Sequence, residues 1–151
     1  MTSRPMPRSP KTRLVLAAGV IAASLSLLTA CLGPQQFQGM QLMNADRSAN
    51  RMAQLPDQFD AQNKAQAWAE NLARQNTLYH SNLADGFGNV RWCSIGENVG
   101  YGPSISAIEV AYMNSPGHKA NILAGKWNGA GVGVAWNGSR VFTVQEFVQT
   151  C

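Results

Sequence analysis

The order of hydrophobic patterns predicts an α+β fold, with helices packed on a small antiparallel sheet. Three observations carry this expectation. Between Met40 and Leu123 the apolar residues recur at helical spacing. From Ala130 onward the chain changes to runs rich in Val, Phe and Thr. Between those runs Asn137-Gly138 stands as a hairpin signal, because both residues accept the left-handed backbone of a tight turn.

The first helix is expected over Met40–Leu55, where Leu42, Met43, Arg47 and Met52 are spaced by turns. Pro56 and Asp57 break it. A second helix runs from Ala61 to Gln75, with Ala65, Trp68, Ala69, Leu72 and Ala73 on one stripe. Thr77 to Asn89 is polar and contains glycine, hence a loop. Ser104 or Ser106 can cap a third helix through about Asn114, with Ile108, Ala111 and Tyr112 on one face. Pro116 suits the first turn of a short fourth helix ending at Leu123. Ala130–Trp136 and Val141–Val148 are the two strands of the hairpin. Gly129, Gly131 and Gly133 alternate, but no helix follows them, so they form no dinucleotide fingerprint. The expectation is that Gly131 and Gly133 let another element lie close to the sheet.

Composition narrows the function classes. The chain of 151 residues is 45% hydrophobic and only 13% charged, which argues against a disordered, solvated polymer. Its net charge of +4 suggests an acidic partner until the positions are read. Arg4, Arg8, Lys11 and Arg13 precede residue 14, and the remaining eight Lys and Arg face eight Asp and Glu. The folded part is therefore neutral, which excludes nucleic-acid binding driven by phosphate neutralisation.

The basic start is followed by a charge-free run from Leu14 to Ala30, the layout of a secretory signal peptide. At 17 residues and rich in Ala, the run sits at the short limit for a membrane-spanning helix. It ends in Leu28-Thr29-Ala30-Cys31, which resembles a bacterial lipobox. That resemblance implies cleavage before Cys31 and diacylglycerol on its sulfur. The organisation is then a lipoprotein signal peptide over 1–30, a lipidated Cys and polar tether over 31–39, and one domain over 40–151. A plain cleaved signal and a retained anchor are the alternatives, in that order. With Cys31 lipidated, Cys93 and Cys151 remain as a pair, and an oxidising compartment permits their disulfide.

The residues able to carry chemistry are few. His80 and His118 are the only histidines, and Gly96-Glu97-Asn98-Val99-Gly100 lies between them. Two imidazoles and a carboxylate are reasonable ligands for zinc or another divalent ion. Equally, His80 and Glu97 could hydrogen-bond and hold two walls together. Ser115 with His118 could mimic a nucleophile and base, but no acidic orienter is evident, so Ser115 reads as a helix cap. Cys93 lies near Trp92 and has a partner in Cys151, which argues against a nucleophile. Trp127 and Trp136 read as core or edge packing.

His80, the Gly-Glu-Asn-Val-Gly segment and Ser115-Pro116-Gly117-His118-Lys119-Ala120-Asn121-Ile122-Leu123 together resemble the bacterial branch of the CAP superfamily. Its members include cysteine-rich secretory, antigen 5 and pathogenesis-related proteins. Asn44 and Arg47 match its first-helix Asn-x-x-Arg pattern, and Gly131-Val132-Gly133 with the closing strand matches its sheet. The resemblance covers about residues 40–151. It implies an α-β-α sandwich with a shallow cleft lined by His80, Glu97 and His118, together with Ser115 and Asn98. Many members carry a second Glu three residues before the later His, where this chain has Ser115; bacterial members often have Trp where Tyr112 stands. Glu109 is a candidate substitute for the missing carboxyl, with no spacing argument behind it.

The resulting expectation is an exported, envelope-anchored binding module for a small ligand, a lipid or an envelope component, attached to the membrane through its lipid. Sterol and fatty-acid binding among relatives points loosely to that ligand class. The alternative is a metal-dependent hydrolase of peptide or cell-wall substrates, with His80 and His118 holding the ion and Glu97 activating water. The spacing 80, 97, 118 contains no His-Glu-x-x-His helix.

Overall fold

The computed structural model of the protein describes residues 32–88 and 90–151. The predicted leader and Cys31 lie outside the described residues. Four helices and three strands follow in the order α1 (Pro34–Ala49), α2 (Phe59–Gln75), β1 (Trp92–Gly102), α3 (Ile105–Asn114), α4 (Pro116–Leu123), β2 (Gly129–Asn137) and β3 (Arg140–Thr150). The strands form one antiparallel sheet in the order β1-β3-β2. The α+β expectation holds, and the hairpin turns at Gly138, whose φ of 59° a side chain would strain.

Three departures from the expected elements have physical reasons. The expected tether is half helix: α1 starts at Pro34, a residue pre-set for the first helical position, and runs through Gln-rich sequence that helices accept. Its end falls earlier than Leu55, because Arg51 takes φ 61° and the chain turns back. Asn44 then clamps the returning strand reciprocally, donating to Leu55 O at 3.0 Å and accepting from Leu55 N at 2.8 Å. The third departure is β1, for which sequence patterning gave no signal. Gly96, Gly100 and Gly102 interrupt its apolar pattern, yet each is needed where it stands. A Cβ at Gly96 would press on the Trp127 ring, and one at Gly100 on Tyr112 and Ile108.

Alternation along β3 divides the core into two layers. Val141, Thr143, Gln145 and Phe147 face α1, α3 and α4, where Met40, Met43, Ile108, Tyr112, Ile122 and Trp127 pack. Phe142, Val144, Glu146 and Val148 face α2, where Ala61, Ala65, Ala69 and Leu72 form the expected stripe. Small residues let α2 lie directly on β2. A Cβ at Gly131 would overlap the backbone of Ala61 and Gln62, and one at Gly133 the backbone of Ala65. Gln62 and Gln66 finish the contact by hydrogen-bonding Val132 and Val134 of the strand.

Arg47 shows what the Asn-x-x-Arg pattern does. Its buried guanidinium donates to Ala53 O at 2.8 Å, Ile122 O at 2.6 Å and Ala124 O at 3.1 Å. Two of these carbonyls close the C-terminus of α4, where backbone acceptors lack partners within the helix. The residue thus fastens α4, and with it His118, to α1. At the far end Cys93 and Cys151 are bonded, with Cα atoms 5.1 Å apart across a separation of 58 residues. The bridge ties the last residue to the start of β1.

Candidate functional site

The site forms where β1, an edge strand, separates two loops. Neighbouring residues of a strand point to opposite faces, so Glu97 turns toward α2 and Asn98 toward α4. The loop after α2 brings His80 to Glu97. Glu97 Oε1 lies 2.7 Å from His80 Nδ1 and accepts from Ser81 N at 3.0 Å. With a carboxylate as partner Nδ1–H is the donor, and Nε2 is the ring nitrogen left without a partner by this contact. Glu97 is buried, whereas the His80 side chain is 61% exposed. The carboxylate serves as an anchor under an imidazole that reaches solvent.

On the other side of β1, α4 carries His118 in its first turn. Its ring lies 4.9 Å from that of Tyr112, and its Nδ1 is buried without a hydrogen-bond partner. Burial, and secondarily the nearness of His80, lower its pKa below the usual imidazole value. His118 is thus a neutral ring at pH 7, the form that binds metals. Tyr112 is fixed by its hydroxyl, which meets both the carbonyl and the hydroxyl of Thr143.

A polar network lies beneath His118. Asn98 donates to His118 O at 3.1 Å and to Gln145 Oε1 at 2.9 Å, and accepts from Asn121 at 2.9 Å. Gln145 in turn donates to Glu109 Oε2 at 2.6 Å. Asn98 is fully buried, so it supports the main chain of His118 from below and lines no surface, contrary to the expectation that it lines a cleft. Ser115 stands between α3 and α4 as expected of a cap, but its hydroxyl makes no capping bond to α4; the backbone does the joining, with Ser115 O accepting from Lys119 N. Glu109 does not replace the missing carboxyl. It faces Asp46 of α1, and burial with that neighbouring charge pushes its pKa up to about 8.

Two residues beneath Glu97 escaped the sequence reading. Glu146 is its register partner on β3, and Lys64 of α2 lies 3.3 Å from Glu146 Oε1. Lys64 also donates to Ser81 Oγ and to Asn82 O, so it braces the loop that carries His80. Burial pushes the Glu146 pKa up to about 9; Lys64 opposes this and Glu97 adds to it. Glu97 Oε2 and both Glu146 oxygens lack a hydrogen-bond donor. The proton that Glu146 keeps at neutral pH gives the pair a donor on the Glu146 side. The available signal was a Glu inside the otherwise uncharged run Val141–Val148.

The three expected metal residues are not gathered as one ligand set. Among the described residues no three His, Cys, Asp or Glu side chains are grouped to hold an ion. Glu97 is engaged behind His80, which leaves the exposed His80 ring and the half-buried His118 ring as the remaining donors. Beside Ser81 and along α2, a hollow of about 500 Å³ is lined by Lys64, Trp68, Asn71, Asn82 and Asp85.

An α-β-α sandwich with a His–Glu pair and a second His across one strand defines a class of extracellular-type domain. The sequence profile of the CAP cysteine-rich secretory protein family matches residues 40–151, and the chain belongs to that family. No curated protein sequence matches it. Among solved structures it is similar to an outer surface protein of Borrelia burgdorferi, at 15% identity and a TM-score of 0.66, covering 74% of this chain and 90% of that one. It is similar to an extracellular SCP-domain protein of Bacillus anthracis, at 24% identity and a TM-score of 0.64, covering 79% of this chain and 44% of that one. A cysteine-rich secretory protein of Staphylococcus aureus matches at 18% identity and a TM-score of 0.64, over 76% and 38%. The chain thus spans less than half of the Bacillus and Staphylococcus proteins.

Proposed function

We propose that the protein is an exported lipoprotein, anchored through Cys31 to the outer face of the cell membrane. Its CAP domain acts as a non-catalytic binding module for a small ligand, lipid or envelope component. Export is supported by the leader and by the likeness to an outer surface protein of Borrelia and an extracellular protein of Bacillus. The observation that carries the binding reading is the commitment of Glu97. Its near oxygen is taken by His80 and Ser81, and its far oxygen is buried against Glu146. A base that activates water must reach water, so this burial speaks against the hydrolase reading.

A divalent ion fits the donors in part. His80 and His118 would hold it, both as neutral imidazoles, and Glu97 would raise the basicity of His80 from behind. Bound there, such an ion would supply a Lewis acid to a ligand's oxygen. The His80 side chain is exposed, and the hollow along α2, lined by the next residue Ser81, gives a ligand room nearby.

Calorimetric titration of metal-stripped mature protein with zinc tests the ion. Saturable binding to wild type that is lost in His118→Ala supports it; heat that is equal in both refutes it. Robust turnover of peptide, ester or peptidoglycan substrates that disappears in Glu97→Ala would overturn the non-catalytic reading.

A further inference from the structure

We infer that the face around Leu32 lies on the lipid bilayer, with Phe37 and Phe59 seated in the headgroup region on either side of the anchor. The inference rests on the reading of Cys31 as the lipidated residue. Its new element is the position of α1. Only Leu32 and Gly33 separate Cys31 from Pro34, the first residue of that helix. Leu32 packs on the core cluster that contains Met40 and Leu55. Consecutive Cα atoms are about 3.8 Å apart, so a lipid on Cys31 begins one residue from a side chain already fixed to the domain. No slack remains for the domain to stand clear of the membrane.

The surface around Leu32 suits that contact. Leu32 is shared by two shallow hollows. One, of about 640 Å³, joins it to Phe37, Met40 and Leu55, with Asp57 as its only charged residue. The other, of about 290 Å³, joins it to Gly33, Phe59 and four amides, Gln36, Gln62, Asn63 and Gln66. Phe37 is 52% exposed and Phe59 61% exposed, a costly arrangement in water for side chains of this size. Residues 32–45 carry no Lys, Arg, Asp or Glu. Aromatic rings among neutral amides, with Asp57 the one charge lining either hollow, are the composition of a surface held at the headgroup level, where that carboxylate stays hydrated.

The test uses the full chain, expressed so that its leader is processed, purified in detergent and reconstituted into phosphatidylcholine vesicles. Mass spectrometry first reads the diacylglycerol on Cys31, and Cys31→Ser reads release from membranes. Then Phe37→Trp, Phe59→Trp and a control, Val110→Trp, are compared with wild type in vesicles containing 5-doxyl phosphatidylcholine. Val110 is 61% exposed on α3 and lines neither hollow. All three positions are more than half exposed, so the variants fold. The expected result is quenching of the added indole at positions 37 and 59 at least twofold stronger than at 110. Equal quenching at all three positions, in protein that carries the lipid, overturns the face and leaves the anchor standing. Absence of the lipid mass, or a Cys31→Ser protein that stays on membranes, overturns the anchor and this inference with it.

Discussion

Replacing Glu146 by Gln should change how stability depends on pH. In the native state the carboxyl is completely buried and its pKa stands at about 9, against an ordinary value of 4.5. The cause is burial first, which Lys64 opposes and Glu97 reinforces. The sign follows from proton counts. Between pH 4.5 and 9 the native protein holds a proton on Glu146 that the unfolded chain has released, so stability falls as pH rises. Each such proton contributes a slope of about 1.4 kcal/mol per pH unit, or about 3 kcal/mol between pH 5.5 and 7.5. Gln keeps the shape, donates to Glu97 as the protonated acid does, and does not titrate. Urea unfolding at pH 5.5, 6.5 and 7.5 checks this. The variant should lose stability less steeply than wild type and be the more stable of the two at pH 7.5. Parallel stability curves would mean that Glu146 is charged in the native state.

Three further outcomes are expected. Gly133→Ala should destabilise by several kcal/mol or prevent folding, because the added methyl meets backbone atoms of Ala65 and the helix must lift off β2; a melting temperature within a few degrees of wild type would show that α2 can shift. Arg47→Met should cost about 3 kcal/mol or more in urea titration, since the carbonyls of Ala53, Ile122 and Ala124 lose a buried charged donor together. Breaking the Cys93–Cys151 bridge by a double change to Ser should cost up to about 4 kcal/mol by loop-closure entropy over its 58-residue separation, read as a lowered urea midpoint.

Where sequence periodicity spoke strongly, the elements followed. The small-residue stripe on α2, the Ser104 cap of α3, Pro116 at the start of α4 and the Asn137-Gly138 turn each reflect a local preference that packing did not override. What stayed hidden was determined across the chain. The left-handed turn after α1 falls on Arg51, one residue past the Asn50 cap, so the Asn signal stands beside the turn and not on it. Strand β1 reads as glycine-broken because its glycines answer to Trp127, Tyr112 and Ile108, residues that lie far along the sequence.

The site divides along the same line. Two histidines and a Gly-flanked Glu could be picked out as residue types with chemical potential, but their division of labour depends on the pleat. Glu97 and Asn98 are neighbours in sequence and work on opposite faces of β1. Glu97 is spent on His80 and on the main chain of Ser81, with Glu146 and Lys64 packed behind it, and Asn98 is spent on the main chain of His118. The consequence is mechanistic. A carboxylate that looks like a third metal ligand in the sequence acts from behind the imidazole, so under the binding reading proposed above a ligand would meet the imidazoles and not Glu97. Replacing Lys64 should then disturb ligand binding at His80 although Lys64 lies under the surface, because it is the cation that allows one negative charge to remain buried there.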